Sequence, residues 1–437
     1  MPGHTRKGWA LAVSLRCLLP LALLALCLGQ AQAEPASHWE VSGFGSVGVV
    51  SQHGAEGWRM NRNMTQAPAD GPVSARPDSR LGVQLNWQLD TQWEAAVQAV
   101  SLSKPAHSPW RDSVEWAYLG YRPSPHTRIR LGRTNPDTYL YADSRNVGYA
   151  LTWVRPPVDF YGFAPMAATD GVDLEHQWTL DDTRWRMRLT AGIFATMATA
   201  GDGSTFRIRA KDAYGFSLLR EEGGLLLKAS GLRTRLNMGM PEGFLQLKQG
   251  LAGLQSLPLP GLNESLAPLQ DALWTEGQAT YLALGAQYEH GPWTTVAEWS
   301  DLSIPKTLTG GRRAYGSVSY RLGTVSLYGL ASRVSPHKNM PVVPDLVGSL
   351  SPVLGPVQAQ QAQGLATVAA EVATRSRFDQ GTVGLGLRWD ATPQMALKFQ
   401  IDRFRVYPSG SAAWMNGTAS AARGNLVSVG LDFVWGP

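Results

Sequence analysis

Cysteine is almost absent: the chain has two, Cys17 and Cys27, and both fall within the first 33 residues. That segment reads as a secretory leader, with Arg6, Lys7 and Arg16 as a basic start, CLLPLALLALCLG as the apolar stretch and Ala31-Gln32-Ala33 as a small-x-small cleavage site. The expected mature chain, residues 34–437, then holds no cysteine, which excludes disulfide stapling of an exported protein. Net charge is also lacking. Three of the 39 Lys and Arg lie in the leader, leaving 36 against 34 Asp and Glu, so no nucleic-acid footprint is present and no nucleic-acid partner is expected. Long apolar runs are missing from the mature chain. None approaches the ~20 residues a spanning helix needs, so the membrane-spanning structure left open to it is a closed barrel.

Catalytic patterns are missing as well. The mature histidines (His38, His53, His107, His126, His176, His290, His337) are scattered, with no accompanying serine motif and no metal-ligand spacing. GFGSVG, Gly43–Gly48, meets a phosphate-loop pattern only loosely and sits in a strand without a following helix. The expectation is no enzyme, no catalytic residue, no metal and no cofactor.

What is present is period-2 alternation. In RWRMRLTAGIF, Arg184, Arg186 and Arg188 share one face of a strand, and Trp185, Met187, Leu189, Ala191 and Ile193 share the other. Sixteen such segments are predicted: 39–50, 79–89, 92–102, 112–122, 126–133, 170–180, 184–194, 210–220, 224–233, 278–290, 293–302, 312–321, 324–333, 379–389, 394–405 and 425–435. Their connections alternate in length. Asp90-Thr91, Pro123–Pro125, Asp181–Thr183, Glu221–Gly223, Gly291-Pro292, Leu322-Gly323 and Asp390–Pro393 are tight, whereas those between run from about nine residues to about 45. The longest cover roughly 51–78, 134–169, 234–277 and 334–378. Tight turns at one end and long loops at the other suit an outer-membrane barrel, and a soluble sandwich has no reason to sort its loops this way.

Aromatics flank the tight turns: Trp87 and Trp93, Trp178 and Trp185, Tyr288 and Trp293, Tyr320 and Tyr328, Trp389, and Trp435 at the same level. Together they form an interfacial girdle. Leu81, Val83, Leu85 and Trp87, or Val427, Val429, Leu431 and Phe433, make outward apolar stripes. Opposite them stand Arg80, Gln84, Asn86 and Gln88, or Ser428 and Asp432, faces that suit a wet lumen. The predicted fold is all-β, a transmembrane antiparallel up-and-down barrel of about sixteen strands.

The chain resembles the general porins of Gram-negative outer membranes, sixteen-stranded barrels that usually assemble as trimers. The leader carries the resemblance, with the opening strand EVSGFGSVGVV, the first hairpin DSRLGVQLNWQLDTQWEAAVQAV, the closing strand NLVSVGLDFVW and the loop GRTNPDTYLYADSRNVGYALTWVRPPVDFYG. It covers nearly the whole mature chain in architecture and is specific in these few segments. It implies a third loop folded into the lumen, passive diffusion of small hydrophilic solutes and ions, contact with outer-membrane lipid, and a homotrimer. Gly436-Pro437 after Trp435 depart from the terminal aromatic of porins. Two loops, Leu251–Trp274 and the Ala- and Gln-rich Leu354–Arg377, are unusually long, the second predicted to hold a short helix and both to serve as mouth cover or subunit contact.

Under this facing Arg80, Arg128, Arg130, Arg184, Arg186, Arg188, Arg388 and Lys398 line the pore, with Glu94, Asp173, Glu175 and Glu298 as the main inward acids. Asp137, Asp143, Arg145 and Asp159 are the candidates on the constriction loop, and opposed rows of charge would set a field across the pore. A lumenal arginine stays wet, whereas one on the lipid face near the midplane costs about 2–4 kcal/mol. Two other readings stay open: a channel specific for carboxylate or other anionic solutes, and a non-conducting barrel acting as adhesin, scaffold or outer-membrane hydrolase.

Overall fold

Alternation of apolar and polar side chains runs through sixteen strands that, in the computed structural model, close into one antiparallel sheet. The structure describes residues 37–436 except 56, 163–167, 201–202, 409 and 411–420, so the leader lies outside the described residues. The strands are β1 (His38–Gly54), β2 (Arg80–Gln88), β3 (Trp93–Leu102), β4 (Val114–Ser124), β5 (Thr127–Thr134), β6 (Thr169–Leu180), β7 (Thr183–Thr199) and β8 (Thr205–Glu222). They continue as β9 (Leu225–Gly239), β10 (Glu276–His290), β11 (Trp293–Ser303), β12 (Gly311–Leu322), β13 (Val325–Pro336), β14 (Gln380–Thr392), β15 (Met395–Val406) and β16 (Ala422–Trp435). Each pairs with its sequence neighbours, and β1 pairs with both β2 and β16, so no edge is left unpaired. A two-residue strand, Val73–Ser74, adds to β1 at Val50–Ser51.

The seam between β1 and β16 explains the glycines of the opening strand. Gly43 pairs with Trp435 and Gly45 with Phe433. A Cβ on Gly43 would lie 1.9 Å from the Trp435 ring, so the missing side chain is the seat of that indole. The outward faces are apolar and open to the surroundings: Leu131 is 62% exposed and Leu385 71%. A continuous band of this kind belongs against hydrocarbon. Around the tight-turn end Trp39 stacks on Trp87 (4.4 Å), Trp178 on Trp185 (6.1 Å) and Trp293 against Tyr320 (4.6 Å). Tyr328 is not part of this ring. It shares parity with Leu330 and Ser332, points inward, is buried, and donates to Gln400 Oε1 at 3.0 Å.

Two regions depart from the sequence expectation. β7, β8 and β9 are 17, 18 and 15 residues long, several residues longer at the long-loop end than the alternation indicates. There the inward positions Phe194, Ala198, Phe206, Ile208 and Leu236 are buried and apolar too, so the polar half of the pattern is missing. The long loops are the second departure. The one between β9 and β10 folds into helices Glu242–Gln255 and Leu262–Ala272, and the one between β13 and β14 into Leu346–Leu354 and Pro356–Thr374. The last is 19 residues, not a short helix. Its alanine face (Ala359, Ala362, Ala366, Ala369) packs on Leu251, Leu266, Leu269 and Leu350. Each fully buried leucine contributes about 1.5–3 kcal/mol, enough to hold a helical layer over the long-loop end.

Candidate functional site

β5 is only eight residues long, and Asn135-Pro136 follow it. Proline cannot donate to the ladder, so pairing stops and the chain turns away from the wall. Residues 135–162, in the loop between β5 and β6, then cross the interior with a turn of 3₁₀ helix at Gly148–Ala150 and a short α-helix at Val158–Tyr161. Their polar contacts reach nearly every sector of the barrel.

The first sector is β4 to β9. Asp173 sits between two guanidiniums, accepting from Arg130 Nε at 2.7 Å and from Arg188 Nε, with Thr190 Oγ1 donating at 3.0 Å. Arg188 also donates to the carbonyl of Asn135 at 2.6 Å and lies 3.4 Å from Asp143. Asp137 receives Lys228 and the hydroxyl of Ser217 (2.7 Å), with Arg186 at 3.6 Å. Lys228 and Ser230 hold the next carbonyls, Tyr139 O at 2.7 Å and Thr138 O at 2.6 Å. Arg145 pairs with Glu115 of β4 and donates to Asn135 Oδ1 at 2.6 Å.

The opposite sector, β14 to β16, clasps the loop backbone. Lys398 Nζ faces the carbonyls of Gly148 (2.7 Å), Leu151 (2.5 Å) and Trp153 (3.1 Å) and the carboxylate of Asp432 (2.8 Å). Arg388 donates to Tyr149 O at 2.7 Å and Leu151 O at 2.9 Å. Arg155 is forked between Asp78 (2.7 and 3.1 Å), Asp402 (3.1 Å) and Ser428 Oγ (2.5 Å), and Arg62 adds a second guanidinium to Asp78 at 3.1 Å. Burial pushes the Asp78 carboxyl up, but Arg155, Arg62 and Arg80 outweigh it and hold it at about 2.

Between the two sectors the loop presents aromatics. Trp153 packs edge-on against Tyr315 (5.7 Å) and Tyr141 (5.6 Å), Phe160 against Tyr315 (5.2 Å), and Tyr139 against Tyr161 (4.9 Å). Trp153 Nε1 donates to Ser317 Oγ at 2.8 Å. Glu298 accepts from Tyr315 (2.8 Å), from the amide of Leu140 (2.8 Å) and from Tyr161. Asp159 accepts from Ser332 Oγ at 2.6 Å and from Gln380.

The constriction candidates are thus brought together in the interior, but not as an acidic loop facing a basic wall. Asp137 and Asp143 face cations; Asp159 faces the neutral Ser332 and Gln380; Arg145 and Arg155 reverse the polarity by carrying charge from the loop to wall carboxylates. Seven of the eight basic wall residues lie within 4 Å of a carboxylate, Arg128 between Glu94 and Glu175, Arg184 at Glu221 and Arg388 at Asp390 among them. Arg80 instead donates to Ser46 Oγ at 3.3 Å. The wet wall expected from the alternation is not what the middle of the lumen presents. The side chains of Arg188 and Lys398 are 1% and 0% exposed, because the loop covers them; Arg186, 28% exposed, and Arg184, 67%, emerge only toward the tight-turn end.

Reading the sequence missed Arg155, Lys228, Glu115 and Asp78. Lys228 and Glu115 share the inward parity of their strands, and Pro156-Pro157 disfavour helix at the residue before them, which keeps Arg155 in irregular loop where no periodicity assigns its side. Asp78 precedes β2 and has no pattern to flag it. Among the described residues no group of three or more His, Cys, Asp or Glu is placed to hold a metal ion.

Sixteen strands closed on themselves, loops sorted by length to opposite ends and a third long loop crossing the interior decide the architecture. The chain is a closed sixteen-strand antiparallel transmembrane barrel. No family model and no curated protein matches its sequence. Among solved structures it is similar to the outer-membrane channel DcaP of Acinetobacter baumannii (11% identity, TM-score 0.48, 93% of this chain and 100% of that one). It is also similar to the OmpF of Salmonella typhi in complex with daunomycin (12%, TM-score 0.47, 92% and 98%) and to OmpT, an outer membrane protein of Vibrio cholerae (11%, TM-score 0.45, 93% and 100%).

Proposed function

We propose that the mature chain is an outer-membrane channel of a Gram-negative bacterium, exported by its leader, assembled as a homotrimer, and passing small hydrophilic solutes and ions by diffusion past the loop at 135–168. The observation that carries this reading is the loop itself. It is tied to the wall through hydrogen bonds and ion pairs on both sides, while polar cavities stand along the β3 to β6 side. One, of about 130 Å³, is lined by Arg122, His126, Arg128, Glu175 and Gln177, and another, of about 40 Å³, by Arg62, Lys104, Glu115, Arg145 and Asn146. Both contain both signs of charge, which suits small polar solutes.

Pairing of the wall arginines sets the selectivity expected of such a path. Unpaired, they would favour anions; with Asp173, Asp137, Glu94 and Glu175 beside them, only a mild anion preference remains. Planar-bilayer recordings of the mature protein under a salt gradient test this. Small unitary steps with a reversal potential near zero or slightly on the anion side support the reading.

A second reading is favoured by one observation, the near-complete burial of Arg188 and Lys398 under the loop, with Trp153 of the loop itself buried against the wall. A barrel closed at that level in its resting state opens only when the loop is displaced, as in a solute-specific or a non-conducting barrel. Absence of steps from correctly folded protein in the same recordings sinks the diffusion reading in favour of this one.

A further inference from the structure

The inward face of β7 to β11 changes character with height. Along β9 it reads Lys228, Ser230, Leu232, Thr234, Leu236, Met238, so the basic and hydroxyl groups that hold the loop give way to aliphatic side chains above it. Phe194 and Ile208 continue the apolar patch on one side and Tyr281 and Ile304 on the other. A water-filled passage has no use for such a wall, since apolar surface facing water is unfavourable.

The patch borders two chambers. The inner one, of about 60 Å³, lies among Phe194, Ile208, Leu232, Leu236, Ile304 and Arg313. The outer one, of about 660 Å³, lies beneath the helical layer, between Phe206, Met238, Trp274, Leu247, Val368 and Arg375. Met64, Met238 and Thr309 belong to both walls, so the two adjoin. The volume is that of a small-molecule site. Among the described residues that line the chambers there are two guanidiniums, Arg313 within and Arg375 at the mouth, and no Asp or Glu. The polar cavities on the β3 to β6 side mix both signs; among the described residues lining these chambers only one is present.

We propose that these adjoining chambers bind a small amphiphile with an apolar body and an anionic head, an alkyl or aryl carboxylate. The body lies against Phe206, Met238, Trp274 and Val368, and the carboxylate is drawn inward by Arg313. Apolar walls give such a solute its affinity and the guanidiniums give the orientation, because a cationic analogue of the same body meets like charge and a neutral one forgoes the charge-assisted pair. The site lies above the loop at 135–168, so occupancy requires the transmembrane-barrel architecture but not conduction.

The test is calorimetric titration of the full mature protein in lipid nanodiscs with 4-phenylbutyrate, which is water-soluble enough to be corrected with empty nanodiscs. Saturable binding to one site per chain is expected, with 4-phenylbutanol and 4-phenylbutylamine weaker by about tenfold or more. Arg313→Met should bring phenylbutyrate down to the level of the alcohol and leave the alcohol unchanged. Val368→Trp, at a half-exposed position on a helix outside the barrel wall, should fill the outer chamber and abolish binding of both, with the barrel still migrating as a folded species. Equal binding of acid, alcohol and amine overturns the anionic assignment, and absence of saturable binding, or its persistence in Val368→Trp, overturns the site. Bilayer recordings on the same preparation separate the two readings: steps without binding leave the channel and sink this site, and binding without steps does the reverse.

Discussion

Gly148 lies so close to the wall that a Cβ on it would sit 2.0 Å from Oδ1 of Asp432 and 2.4 Å from Oγ of Ser46. Only glycine lets the backbone of the loop come within reach of Lys398, which takes the Gly148 carbonyl at 2.7 Å while its charge is met by Asp432 at 2.8 Å. Gly148→Val therefore lifts residues 147–151 from β15 and β16 and strips Lys398 of backbone acceptors. The overpacking costs about 1–3 kcal/mol. Under the channel reading, unitary conductance rises and the loop becomes cleavable by protease in folded barrels; unchanged conductance with an uncleaved loop would show that Gly148 does not fix it.

Asp173 is the counter-charge shared by Arg130 and Arg188, and all three side chains are buried. Removing one partner of a buried ion pair leaves an uncompensated charge, at a cost of about 3–5 kcal/mol. Asp173→Ala should lower the temperature at which the barrel loses its compact electrophoretic form by several degrees, and Asp173→Asn, which keeps two polar atoms in place, by less. Equal loss from the two substitutions would mean that packing and not charge holds this corner.

The barrel was legible because its signal is periodic and local. Outward Val427, Val429, Leu431 and Phe433 alternate with inward Ser428 and Asp432 over enough residues to mark both faces, and loop length sorts itself without any knowledge of register. Tyr328 shows where proximity to a turn misleads: its side is set by parity with Leu330, not by neighbouring aromatics. The upper ends of β7 to β9 were illegible because both faces are apolar there. The lumenal charges could be located but not their state. Whether Arg188 is wet depends on where residues 135–143 lie, and contacts such as Arg155 to Asp402, 247 residues apart in sequence, leave no trace in either segment.

The Arg155 and Asp78 clamp ties the loop to the approach to β2, and its acid response follows from sign. Asp78, ordinarily near 3.8, is held at about 2 in the folded protein. A depressed carboxyl contributes stability that is fully present above its unfolded value and is lost as pH falls through the folded one. Asp137 behaves alike: burial raises it, but Lys228, Arg188 and Arg186 hold it well below the usual carboxylate range. Asp159 goes the other way, lifted by burial, so proton uptake there favours the folded loop as pH falls and does not release it. Protease resistance of the loop should accordingly persist from pH 7 to about 4, with release only toward pH 2. Asp78→Asn, which removes the charge at every pH, should loosen the loop already at pH 7. A loop freed between pH 6 and 5 in the unmodified protein would rule out this clamp as its acid-sensitive tie.

Closure of the barrel depends on the indole of Trp435 lying across Gly43, with the Phe433 ring across Gly45. These rings cover backbone that would otherwise face lipid bare of side chains, and Phe433 and Trp435 stack on each other at 5.9 Å. Because a Cβ at 43 overlaps the indole, Gly43→Val must expel Trp435 or part β1 from β16. Aromatic contacts of this kind contribute about 0.5–1.5 kcal/mol beyond area, and the forced overlap adds about 1–3 kcal/mol. The seam joins the first and last strands, so the loss falls on the step that closes the sheet. Folding into lipid vesicles, followed by electrophoretic mobility, should be slower for Gly43→Val, and Trp435→Ala in the same chain should restore part of the rate by removing the clash. If the double variant folds more slowly than Gly43→Val alone, the indole is stabilising the seam from some other position and its seat on Gly43 is not what closes the barrel.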